Sequence, residues 1–107
     1  MFVVWTSLDD QEIAEQLAFD AVAEKLAVCA QVDVTPVVSV YWWEGETKTA
    51  REYRIAFKCL SHQLDGLERW VMDRHPYETP EWIVVAAEKV GEKYLSWAEA
   101  NSHTPPF

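Results

Sequence analysis

The chain has 107 residues, 50% of them hydrophobic and 25% charged, with 18 acidic against 9 basic side chains and a formal net charge of -9. That length suits one domain around one core, and that apolar content excludes intrinsic disorder. So negative a field repels phosphate backbones and anionic lipid, which sets nucleic-acid and membrane partners aside.

Residues 2–7 are a short apolar and β-branched run that reads as a strand, and Ser7, Asp9 and Asp10 behind it supply capping side chains and N-terminal acids. Over 11–26, Ile13, Ala14, Leu17, Ala18 and Ala21 recur at helical spacing, with Glu12, Glu15, Asp20 and Glu24 on the other side. This predicts an amphipathic helix lying on a sheet, with Phe19 off the apolar stripe. Up to residue 35 Lys25 is the one base, against Asp9, Asp10, Glu12, Glu15, Asp20, Glu24 and Asp33. A solvated acidic helix face accounts for that run, and a cation or partner surface is the sharper reading.

Residues 28–43 alternate too strictly, and are too β-branched, to be anything but extended: Val28, Ala30, Val32 and Val34 share one parity. Pro36 interrupts the run because it donates no ladder hydrogen bond, and Val38, Val40 and Trp42 then resume the parity. Trp43-Glu44-Gly45-Glu46 reads as a tight turn, and a second long strand returns over 47–60. Pairing Trp43 with Glu46 sets Val32 against Phe57, Val34 against Ile55 and Ala30 against Cys59, whereas a slip of one residue would put Phe57 against Asp33. The first register places Cys59 on the apolar face and Cys29 on the other, beside Gln31, Lys58 and Arg54.

Ser61 is positioned to cap a second helix over 62–75, with Leu64, Leu67 and Val71 in phase and Pro76 ending it. Residues 82–88 read as a last strand and 92–100 as a last helix, with Tyr94, Leu95 and Ala98 free to pack. Residues 1–101 form the predicted domain, and 102–107 are a proline-containing tail that either frays or reaches a neighbour. The order β-α-β-β-α-β plus a terminal helix predicts an α+β, ferredoxin-like sandwich. Its central hairpin far exceeds the usual five or six residues per strand, so its overhanging edges, with six Trp in so short a chain, point to a homo-oligomer.

No basic stretch and apolar run opens the sequence, and no apolar run nears the roughly 20 residues needed to cross a bilayer, so a cytoplasmic protein is expected. Cys29 and Cys59 have neither redox-pair nor zinc-knuckle spacing, and reduced thiols are the expectation. His62, His75 and His103 lack a nucleophile-turn motif to work with, and the isolated Gly45, Gly66 and Gly91 build no phosphate loop. Glu78 and Glu81 near His75 admit acid/base work on paper, but solvated loop residues account for them, so no enzyme is predicted.

Two stretches are informative together: Tyr41-Trp42-Trp43-Glu44-Gly45, and the stiff loop His75-Pro76-Tyr77-Glu78-Thr79-Pro80-Glu81. With Glu24-Lys25-Leu26-Ala27-Val28-Cys29 and Tyr94-Leu95-Ser96-Trp97, the chain resembles the CutA divalent-cation tolerance family over nearly its whole length. The resemblance implies a P-II-like homotrimer with a role in tolerance of copper and other divalent cations. It also implies metal donors at Cys29 and His75, and an inter-subunit ligand cleft at Gln31, Trp43, Lys58, Tyr77, Glu78 and Glu81. Gln31 stands where an asparagine is usual and Cys59 where a threonine is common. Trp5 and Trp70 occupy positions where some members carry cysteine, so one chain offers no multi-thiolate site. The runner-up reading is a P-II-like sensor for a small anionic ligand in that cleft.

Overall fold

The computed structural model describes residues 1–103, so positions 104–107 of the expected tail lie outside it. The elements are β1 (Phe2–Leu8), α1 (Gln11–Ala23), β2 (Cys29–Val32), β3 (Val37–Trp43), β4 (Glu46–Cys59), α2 (Ser61–Arg74), β5 (Ile83–Ala86) and α3 (Glu92–Ala100). Antiparallel pairing orders the sheet β2-β4-β1-β5, and β3 pairs with the first half of β4. This is the predicted α+β sandwich with its C-terminal helix.

Local chemistry starts and stops α1. The Asp10 carboxylate accepts the Ile13 amide at 3.1 Å, satisfying one of the free N–H groups of the first turn. The helix stops at Ala23, short of the predicted residue 26, because Lys25 adopts φ 64°. Its amide and that of Leu26 then donate back to Val22 and Ala21 at 3.0 and 2.9 Å, closing the last turn. Ala14, Leu17, Ala18 and Ala21 are buried, whereas Ile13, expected on the same stripe, is exposed.

The hairpin keeps the predicted register, Trp43 opposite Glu46 through Val37 opposite Glu52. Beyond Pro36 it slips: Val32 faces Ile55 rather than Phe57, and Ala30 faces Phe57 rather than Cys59. Residues 33–36 bulge opposite Tyr53 and Arg54, a break the proline's missing N–H favours. The slip is by two residues, and side chains repeat every two, so the two faces do not exchange. Cys59 stays in the core at 0% exposure and Cys29 stays on the other face, half-buried.

Trp43-Glu44-Gly45-Glu46 closes with positive φ at both central positions, 51° at Glu44 and 77° at Gly45. That is the primed turn which matches strand twist and favours Asn-Gly, so Glu44 sits where a β-carbon is disfavoured. Glu44→Asn is expected to raise stability by about 0.5–1 kcal/mol in urea unfolding.

α2 also starts differently from the expectation. Ser61 lies inside the first turn, and the cap is the Gln63 amide oxygen, which accepts the Leu60 N–H at 2.9 Å. α1 and α2 cover one face of the sheet around Val4, Leu8, Ile55, Phe57, Leu67 and Val71. β5 is shorter than the predicted 82–88, and all four of its residues are exposed. Val38, Val40 and Trp42 of β3 are 63%, 64% and 74% exposed, on a hairpin that helps stretch the molecule to 48 × 31 × 23 Å. Among the described residues no helix is long and apolar enough to cross a membrane.

Candidate functional site

The residues singled out in the sequence fall into three separate neighbourhoods of one chain. The first is on the sheet face that α1 and α2 leave open. Cys29 of β2 stands opposite Lys58 of β4, and the Lys58 ammonium donates to the Gln31 amide oxygen at 2.8 Å. α3 brings Tyr94 to the same place: its ring lies 6.0 Å from Lys58 Nζ, near the Cys29 thiol. Burial, then the Cys29 sulfur, raises the Tyr94 pKa above its ordinary value, so this phenol stays protonated and able to donate. Farther along the face Arg54 pairs with Asp33 at 2.8 Å and stacks 5.4 Å from the Trp5 ring.

The second neighbourhood is the loop after α2. His75 is buried, its Nε2 3.0 Å from the Ser7 carbonyl oxygen, and its Nδ1 accepts the Tyr77 amide at 3.1 Å. Since Nδ1 accepts from an N–H, the proton sits on Nε2, which donates to Ser7. Both nitrogens of the neutral ring are therefore committed within the chain. Burial lowers the His75 pKa, only partly opposed by the Ser7 bond and the carboxylates of Glu52 and Asp9. The Tyr77 hydroxyl donates to Glu52 at 2.8 Å, and burial with that carboxylate beside it pushes the phenol's pKa up. Glu78 and Glu81 are exposed on the outer part of the loop.

The third is the hairpin tip, where Trp43 and Trp42 are exposed. Lys58 lies 12 positions along β4 from Glu46, the partner of Trp43, or roughly 40 Å of strand. Ser7, which anchors His75, faces Arg54, four positions from Lys58, or roughly 13 Å. One chain therefore brings Cys29, Gln31 and Lys58 together and holds Tyr77 beside His75. It does not bring Cys29 to His75, or Trp43 to either. Among the described residues no three His, Cys, Asp or Glu side chains gather as a metal group.

Sequence reasoning missed Tyr94 and Glu52 as members of these clusters. Tyr94 read as helix packing, and Glu52 shares the outward parity of Arg54 and Lys58, which reads as solvent-facing. The two thiols should behave differently. Burial pushes the Cys59 pKa up to about 11 and removes it from solvent, while Cys29 is accessible. About one thiol per native chain should react with a chromogenic disulfide reagent at neutral pH, and the second only after denaturation. Loss of the fast reaction in Cys29→Ser, with the slow one retained, checks the assignment.

The architecture defines the class: a ferredoxin-like sandwich with helices on one sheet face, a polar cluster around a thiol on the other, and a projecting hairpin. The family model described as CutA1 divalent ion tolerance protein matches residues 2–101, and the chain belongs to that family. It is 36% identical over 94% of its length to the chloroplastic protein CutA 1 of rice, of which it spans 56%. It is 32% identical over 92% of its length to the divalent-cation tolerance protein CutA of Yersinia pestis, of which it spans 82%. The solved CutA of Synechococcus elongatus superposes with a TM-score of 0.90 at 31% identity, covering 95% of this chain and 89% of that one. A point mutant of CutA1 of Pyrococcus horikoshii gives 0.91 at 28% identity, over 97% of this chain and 100% of the other.

Proposed function

We propose that the chain is a non-catalytic homotrimer of the cytoplasm that binds copper or a chemically similar divalent ion as part of the response to metal. The observation that carries the reading is the half-buried, unpaired Cys29 thiol on the open sheet face, opposite Lys58 and beside Gln31. Copper(I) favours soft thiolate, and a reducing compartment keeps Cys29 in that form. One thiol is not a closed site, so further donors come from a neighbouring subunit, with Glu78 and Glu81 exposed for that purpose. His75 joins the ligand set only by releasing the Tyr77 amide from Nδ1. The exposed edges of β3 and β5 and the bare Val38-Val40-Trp42 row supply apolar surface for the trimer.

A second reading keeps the trimer and replaces the ion with a small anion in the inter-subunit cleft, lined by Gln31, Trp43, Lys58, Tyr77, Glu78 and Glu81. The Lys58 ammonium favours it, a cation on the open face of a strongly acidic chain. Titrating reduced, metal-free protein with Cu(I), Cu(II) and Zn(II) separates the readings. Saturable binding at about one ion per chain, lost in Cys29→Ser, supports direct metal handling. No saturable binding, with thermal stabilisation by a small anion that Lys58→Ala abolishes, turns the assignment to a sensor. Light scattering on a sizing column tests assembly separately: a mass near 12.4 kDa would overturn the trimer.

A further inference from the structure

The three histidines differ in what their ring nitrogens do. His75 spends both within the chain, on the Ser7 carbonyl and the Tyr77 amide. His62, in the first turn of α2, spends one: its Nε2 lies 3.1 Å from the Ser102 carbonyl oxygen, just past the end of α3. A carbonyl only accepts, so Nε2 carries the proton and the lone pair of the neutral ring is on Nδ1. His103, the next residue along, lies face to face with His62, the ring centroids 4.3 Å apart and the planes within 5° of parallel. Both histidines are exposed.

A histidine that ligates a metal usually donates its other N–H to a carbonyl or carboxylate, which fixes its tautomer and the direction of its ring. His62 already has that arrangement. Its anchor is firm, because Ser102 is 2% exposed and its carbonyl also accepts the Gln63 amide at 3.3 Å. The neighbouring Asn101 carbonyl accepts Lys25 Nζ at 3.4 Å, which ties the end of α3 to a second segment. Parallel rings do not aim two lone pairs at one point. Rotation of the exposed His103 side chain makes them converge, while Ser102 keeps His62 in place. The positive end of α2 opposes a cation there, but the carbonyl end of α3 meets it at the same place, and the whole chain carries a charge of -9.

We infer that His62 Nδ1 and a ring nitrogen of His103 bind one divalent ion of the zinc(II) or nickel(II) class, with water in the remaining positions. Imidazole suits these ions, whereas magnesium and calcium take oxygen donors. Among the described residues no third His, Cys, Asp or Glu joins the pair, so the site is open and of modest affinity. The inference goes beyond the thiol reading and does not depend on it: Cys29 lies on the open sheet face, and α2 packs on the covered one.

The test titrates zinc(II) into the full, metal-free chain carrying Cys29→Ser, which removes the thiol, and follows it by calorimetry and by NMR of the imidazole rings. Saturation at about one ion per chain is expected, with the His62 and His103 signals shifting together, those of His75 unmoved, and magnesium(II) without effect. His103→Phe keeps an aromatic face against His62 but offers no donor. It should weaken zinc binding at least about tenfold and leave the thermal stability of the metal-free chain unchanged. Unchanged affinity in His103→Phe, a zinc-dependent shift confined to His75, or no saturable binding in Cys29→Ser would each overturn the proposal. Copper(I) reads the thiol instead: it should be lost in Cys29→Ser and kept in His103→Phe, so the two sites fail independently.

Discussion

Gln63→Ala should cost about 2–4 kcal/mol in urea unfolding, far above the ordinary cost of a helix-surface substitution. The side chain is 4% exposed and ties three parts of the fold together. Its oxygen accepts the Leu60 amide at 2.9 Å, while its nitrogen donates to the Lys25 carbonyl at 2.9 Å and the Ser102 carbonyl at 3.3 Å. Alanine leaves the Leu60 donor and the Lys25 acceptor without those partners, and burial makes unpaired groups expensive. Ser102 keeps one contact, since His62 Nε2 lies 3.1 Å from the same carbonyl, and that ring stacks on His103 at 4.3 Å. The loss should therefore be local as well as global: hydrogen exchange should accelerate at Leu60 and along the last turn of α3. Gln63→Glu should fare no better, because it keeps an acceptor for Leu60 but aims a carboxylate at two carbonyl oxygens. A stability change below about 0.5 kcal/mol for Gln63→Ala would show that these contacts are replaced by solvent at little cost.

His75→Ala should cost a similar amount, about 2–4 kcal/mol, because it strands the Ser7 carbonyl and the Tyr77 amide and opens space beneath the loop. It should also change how stability depends on pH. Burial holds the folded-state pKa of His75 below that of an unfolded imidazole, near 6.5. As pH falls below that value the unfolded chain takes up a proton that the folded chain refuses, so unfolding free energy decreases. The contribution is fully present above about pH 6.5 and is lost as pH falls toward the folded value. Unfolding curves at pH 7.5 and 5.5 should diverge more for the wild type than for His75→Asn. Equal divergence would assign the acid sensitivity to other groups. The same variant separates loop geometry from ligation: a positioning histidine affects binding only as far as the loop moves, whereas a ligating one abolishes binding in protein that is still folded.

Much of the architecture was legible because it rests on short-range periodicity. Ala14, Leu17, Ala18 and Ala21 fall on one side of a helix whatever they meet, and the alternation from Val28 to Trp42 reads as strand without knowledge of its neighbours. The placement of Cys29, Gln31 and Lys58 on one face survived a register error of two residues because side-chain parity has period two. Element ends were less legible. Lys25 at φ 64° ends α1 although nothing in its side chain favours that conformation, and Leu60 occupies the cap position that Ser61 was expected to fill.

The sequence alone determined the order of elements, the length of the hairpin, the face of each cysteine and, through its motifs, the family. Those features depend on backbone propensity and side-chain spacing, which are local. Tertiary structure decided what no local pattern contains: that His75 spends both nitrogens on Ser7 and Tyr77, that Tyr77 reaches Glu52, that Tyr94 meets Cys29, and that Gln63 joins three segments. Apart from the Tyr77 amide, two residues from His75, those contacts join groups that chain connectivity does not place side by side, where burial decides between a hydrogen bond and an unpaired charge or dipole.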